Sequence, residues 1–121
     1  MGQDLCSRVS KLYNNIMSAV LVNDAGSIVQ WKAGQGVKMP GQKEMEGIAL
    51  QRLIMMSIAS AHQSSGNVHF NVTRYDDFDV MLFDLQQDRR DAMLSIVNVR
   101  RPYVLESLAG EIMSVVQNPI G

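Results

Sequence analysis

Three places in the sequence carry residue types at spacings suited to chemistry. Gly36-x4-Gly41-Gln42-Lys43 lies between a predicted strand and a predicted helix, where a phosphate-cradling loop would sit. Such a loop needs lysine directly after its second glycine, then serine or threonine. Here Gln42 intervenes and Glu44 stands where the hydroxyl belongs, so Lys43 is misaimed and Mg²⁺ would lack its ligand. The segment reads as a connector, with at most weak anion affinity at the helix N-terminus. Asp76, Asp77 and Asp79 form an acidic knot that suits either a divalent ion or a solvated turn. Calcium loops need more oxygens at fixed spacing and a later glutamate, which favours the turn. Arg89-Arg90 and Arg100-Arg101 flank a strand of about seven residues, roughly 23 Å long, so they form no joint phosphate clamp. Each pair suits an acidic partner protein. Arg100-Arg101 should return to the sheet end that carries Asp76-Asp77, where opposite charges neutralise across the surface at little energetic gain.

Single residues add little chemistry. His69 falls on the polar face of a strand with no serine, cysteine or carboxylate set beside it, so it reads as solvated or interfacial rather than as a base. His62 lies near a helix C-terminus, and Cys6 reads as a small packed residue. One cysteine and two separated histidines do not make a zinc site. Trp31 closes a strand beside Lys32 and the glycine loop; it is either edge packing or a partner anchor. Trp31 and Lys32 are therefore the candidate partner-binding residues. No catalytic residue, cofactor site or metal site is expected.

The elements that position these residues alternate in a simple order. A helix is predicted over 4–14, capped by Asp4, with Leu5, Val9, Leu12 and Ile16 at helical spacing. Strands are predicted over 16–22 and 27–33, joined by the turn Asn23-Asp24-Ala25-Gly26. After the loop 34–41, a long helix runs over 42–61 and stops before Ser64-Ser65-Gly66-Asn67. Strands over 68–75, 78–86 and 92–99 follow, joined by turns at 76–77 and 87–91. A helix over 102–117 ends the series, with Pro102 in its first turn and Asn118-Pro119 as its stop. The order α-β-β-α-β-β-β-α, with five antiparallel strands and segregated helices, predicts an α+β sandwich.

The 121 residues make one domain, 1–121, and 46% hydrophobic content supports one packed core. Eleven basic against twelve acidic residues leave no excess for nucleic-acid backbone binding. Apolar runs stay far below the roughly 18 residues that span a bilayer, so no membrane insertion is expected. The lone cysteine and the polar N-terminal region suggest a reducing, cytoplasmic setting. Met1-Gly2-Gln3-Asp4-Leu5-Cys6 approaches a myristoylation signal, but Cys6 occupies the place of serine or threonine.

The long helix has more apolar surface than one sheet contact uses. Met45, Ile48, Ala49, Met55, Met56 and Ala59 share one side; Leu50, Ile54, Ile58 and Ala61 lie nearly opposite. Two stripes imply two partners, and a second copy of the chain is the favoured second one. Arg52 sits within the first stripe, and a buried unpaired guanidinium is costly. Leu50, Ile54 and Ile58 are therefore expected on the sheet, with Met45, Ala49, Arg52, Met56 and Ala59 facing the partner. Nine methionines suit an adaptable contact surface or a core filler equally.

The stretch 18–29, an apolar strand, an Asn-Asp-x-Gly turn and a second strand after a helix, resembles the start of roadblock-type (dynein light chain) domains. The element order matches theirs over essentially the whole chain, in the small prokaryotic or archaeal kind. The same turn pattern occurs in profilin-like, longin, PAS and GAF domains, so topology carries the resemblance more than any signature. Roadblock domains are typically homodimers joined through the second helix and third strand. That implies an interface of Met45, Ala49, Arg52, Met56 and Ala59 with Val68, Phe70 and Val72. The resemblance implies a non-enzymatic scaffold or regulator of small Ras-like GTPases, with no catalytic motif to carry over. The alternative is a PAS- or GAF-like sensor, which needs a cavity of a few hundred cubic ångströms; an enzyme would need a constellation that the sequence does not display.

Overall fold

The computed structural model describes residues 4–59, 68–85 and 94–117. Expectations for His62, Arg89-Arg90, residues 60–61 of the long helix, the stop at 64–67, the turn at 87–91 and the stop at 118–119 lie outside those residues. The elements are α1 (Leu5–Ser10), β1 (Ile16–Val22), β2 (Ile28–Ala33), α2 (Gln42–Ala59), β3 (Phe70–Arg74), β4 (Asp79–Asp84), β5 (Leu94–Val99) and α3 (Leu105–Gln117). The predicted order and class hold: a five-stranded antiparallel sheet with three helices.

Local signals explain most boundaries. The Asp4 carboxylate accepts the Ser7 N–H at 2.8 Å and caps α1. The helix ends at Ser10, shorter than predicted, because the chain tightens there: Lys11 and Leu12 N–H groups bond back to Arg8 and Val9 carbonyls. Asn23 organises the β1–β2 turn, its side-chain oxygen accepting from the Ala25 and Ser27 N–H groups at 3.0 and 2.9 Å. Gly26 completes the turn at φ 82°. α3 starts three residues later than predicted. Pro102 lies ahead of it, after a cis Arg101–Pro102 bond, and its carbonyl accepts from Asn15 Nδ2 and Tyr13 Oη.

The strand order is β2-β1-β5-β4-β3, leaving β2 and β3 at the edges. Alternating side chains of the inner strands feed two cores. On one face Ala19, Leu21, Met81, Phe83, Val97 and Val99 meet Leu5 and Val9 of α1 and Leu108, Ala109, Ile112 and Val116 of α3. On the other, Val20, Val22, Val80, Leu82, Leu94 and Ile96 meet Ala49 and Met56 of α2. The inner strands are buried on both faces, so they read as continuous apolar runs rather than as alternating ones.

Gly26 gives a direct test of this frame. A Cβ there would approach Leu50 Cδ1 at 2.8 Å, but Leu50 is half-exposed and can move, so the positive φ is the main penalty. Gly26→Ala is expected to lower stability by about 1–2 kcal/mol, shifting the urea midpoint with an unchanged slope.

Candidate interaction surface

The long helix lies on the sheet by the stripe opposite to the one expected. Met45, Ala49, Arg52 and Met56 are buried, and Ala59 is half-buried. Leu50, Ile54 and Ile58 are 47%, 51% and 67% exposed. The expected assignment of faces is therefore reversed. The small Ala49 side chain belongs to one cluster with Val20, Val22 and Ile96, where bulkier residues would hold the helix off. Arg52 tolerates burial because it is not bare: its Nη1 donates to Tyr75 Oη at 2.7 Å, and its guanidinium stands over the Tyr75 ring at 5.2 Å.

This reversal leaves a continuous apolar row, Leu50-Ile54-Ile58, facing outward at helical spacing. Among the described residues β3 bonds only to β4, and its other side is an unpaired edge. The predicted strand 68–75 is shorter, and its three apolar residues do not share a face. Phe70 and Val72 pack toward α1 and α3, whereas Val68, ahead of the strand, packs on the α2 side. His69 is exposed ahead of the strand.

Trp31 and Lys32 lie on the other edge strand and point to opposite faces. Trp31 pairs with Val20 of the α2-side core, Lys32 with Ala19 of the other. The structure thus separates the two candidate partner residues. Trp31, 49% exposed, lines an open groove of about 550 Å³ with Ile28, Pro40, Met45 and Glu46. A recess of about 80 Å³ between α2 and the sheet adjoins it. The recess is well below the few hundred cubic ångströms of a ligand-sensing cavity, and the larger groove has that volume but lies open rather than enclosed.

The acidic knot is the feature that sequence reasoning misjudged. Asp76 and Asp77 are exposed in the hairpin bend, but Asp79 is 1% exposed at the start of β4. Arg74 grips both its oxygens at 3.1 Å through Nε and Nη2. Tyr103 Oη donates to Oδ2 at 2.6 Å, and Arg101 bonds both Oδ1 and the Asp76 carbonyl. The expected weak surface neutralisation is therefore a buried carboxylate held by three side chains. Among the described residues, no three of His, Cys, Asp and Glu are placed to hold a metal ion. No described helix is long and apolar enough to cross a membrane.

No family model matches the chain, and no curated protein is similar to it in sequence. Solved structures are similar in fold. A Roadblock/LC7 domain from Streptomyces avermitilis superposes at a TM-score of 0.75 with 16% identity, covering 97% of this chain and 93% of that one. The chain has the roadblock fold. An MglB in a tetrameric arrangement superposes at 0.75 with 9% identity, covering 96% and 82% of the two chains. The gliding protein MglB from Thermus thermophilus superposes at 0.72 with 12% identity, covering 96% and 84%. In this roadblock fold the long helix and the third strand are the elements that carry the outward apolar row and an open sheet edge.

Asp79 gives the site a pH signature. The hydrogen bonds and charge of Arg74, with those of Tyr103 and Arg101, outweigh burial and hold its carboxyl down at about 2. Because the folded value lies below the ordinary 3.8, the contribution is fully present above about pH 4 and is lost as pH falls through 2. It amounts to about 2 kcal/mol. Urea titrations from pH 5 to 2 should show that loss in the wild type and a flatter profile in Asp79→Asn. Burial and Asp79 raise Tyr103 to about 12, so its phenol should ionise late in an absorbance titration.

Proposed function

We propose that the chain is a non-enzymatic homodimeric interaction module that scaffolds or regulates a small Ras-like GTPase. The observation that carries the self-association is the exposed row Leu50-Ile54-Ile58 on α2. Three large aliphatic side chains facing water on one helix face are what an interface leaves when its partner is removed. The open edge of β3 supplies the complement, since two such edges related by a twofold axis can pair into one sheet. The partner-facing residues are then Leu50, Ile54 and Ile58 in place of Met45, Ala49, Arg52 and Met56, with the backbone of Phe70, Asn71, Val72 and Thr73 at the seam.

The GTPase part rests on the roadblock resemblance and not on a site geometry, because one fold hosts many functions. It agrees with a surface rich in packing features and poor in chemistry. The MglB in a tetrameric arrangement supports reading this fold as one that self-associates. The setting is cytoplasmic, and the module needs no cofactor.

Light scattering on the wild type and on Ile54→Glu tests the assembly. The wild type is expected at twice the chain mass at micromolar concentration, and the variant as a monomer with an unchanged circular dichroism spectrum. A monomeric wild type overturns the dimer. Titration of the wild type against a small Ras-like GTPase, loaded with GDP or a GTP analogue, tests the partner: saturable binding that depends on the nucleotide is expected, and no binding in either state overturns the GTPase reading.

A further inference from the structure

The three helices are not held to the sheet equally. α3, with 13 residues, buries Leu108, Ala109, Ile112 and Val116 against strand side chains and carries no charge into that face. α1 is short but buries Leu5, Cys6 and Val9, and its Cys6 N–H bonds the Gln30 side chain at 2.9 Å. α2, with 18 residues, fully buries four, Met45, Ala49, Arg52 and Met56, with Leu53 and Met55 half-buried beside them. One of those four is a cation. Arg52 is 7% exposed, and among the described residues its Nε has no partner and its Nη1 bonds only a phenol and, at 3.7 Å, the Met55 sulfur. No carboxylate among the described residues pairs with it. On the far side of the helix Ile54 and Ile58 face water, with Leu50 half-exposed beside Gly26, so α2 has a second apolar face.

A buried cation without a counter-ion favours any state in which water reaches it. An apolar face already in water gains nothing from the docked position. Both effects act on α2, and neither acts on α1 or α3. We propose that α2 is a detachable clasp that opens as a unit well before the sheet unfolds, with the uncompensated Arg52 charge setting how often it opens. The Arg52–Tyr75 bond is the latch. Tyr75 stacks on Phe78 at 5.4 Å and so holds the latch to the β3–β4 hairpin. A second copy of the chain that covers Ile54 and Ile58 and pairs with the β3 edge at the same time closes the clasp, because only docked α2 lets it reach both. This inference builds on the proposed interface, but the opening itself belongs to the single chain.

Native-state hydrogen exchange resolved by residue tests it, on the wild type and on Ile54→Glu so that assembly does not mask the helix. In Ile54→Glu, α2 amides should exchange together through an opening whose denaturant dependence is clear but smaller than that of global unfolding, because it uncovers one sheet face, and at least about tenfold faster than β4 and β5 amides. Arg52→Met, which keeps the stem and removes the charge, should slow α2 exchange by about tenfold. Tyr75→Phe, which removes the latch hydrogen bond, should speed it. Equal opening of α2 and of β4 and β5 in Ile54→Glu overturns the clasp, whatever the wild-type mass. Faster α2 exchange in Arg52→Met overturns the role given to the charge. If the wild type is a monomer, the dimer reading fails alone and α2 opening is then read in the wild type directly.

Discussion

The carboxylate of Asp79 is the point on which one whole end of the molecule converges. It sits buried at the start of β4 and takes Arg74 from the β3 side of the hairpin and Arg101 and Tyr103 from the connection between β5 and α3. Arg101 also bonds the Asp76 carbonyl, which fixes the bend of the hairpin. The next residue, Pro102, presents its carbonyl to Tyr13 and Asn15, so the turn into β1 is anchored to the same segment. A lone buried carboxylate would be destabilising, and this one persists because charge-assisted bonds replace its water. Its neighbours are unequal: Arg74 is mostly exposed, so its charge is screened, while Arg101 and the Tyr103 phenol are more sheltered.

The same end of the sheet also holds α2. Tyr75 leads into the hairpin that Asp79 and Arg101 fix, and Arg52 reaches it from above. The polar network and the apolar core on the α2 side therefore meet at one tyrosine. Above the sheet a single helix covers the core, inserting Ala49 and Met56 with Leu53 and Met55 packed beside them. Below the sheet it is thick, with two helices sharing the load. This asymmetry suits a domain that keeps one face for stability and commits the other to association. A helix that must offer apolar surface to a partner cannot also bury all of it at home.

The legible parts of this fold are those whose causes are local. The Asp4 cap, the Asn23–Gly26 turn and the element order follow from residues within four positions of one another, where side chain and backbone decide the outcome together. The two stripes on α2 are legible for the same reason. Which stripe is buried is not, because the deciding contact joins Arg52 to Tyr75, 23 residues away. Asp79 escapes a local reading on the same ground: two of its three partners lie 22 and 24 residues along the chain. Its neighbours Asp76 and Asp77 do behave as the sequence suggests, exposed in a bend. Three carboxylates in four positions thus have different fates: two stay in the exposed bend, and the third opens a strand that is buried on both faces, where Arg74, Arg101 and Tyr103 meet it.

The reversal of the α2 faces sharpens the functional argument. With Met45 and Met56 outward, an interface would have been built from flexible thioethers around a charged centre. With Leu50, Ile54 and Ile58 outward, the exposed row is aliphatic, which is the composition that the proposed interface needs at its centre. Arg52 then plays a different part. It does not greet the partner; it sits beneath the helix, bonded to the hairpin beside the open β3 edge. One guanidinium and one phenol thus join the underside of α2 to the hairpin that carries that edge. A partner that engages both the helix face and the strand edge therefore meets two elements joined by one breakable hydrogen bond, and holds them together.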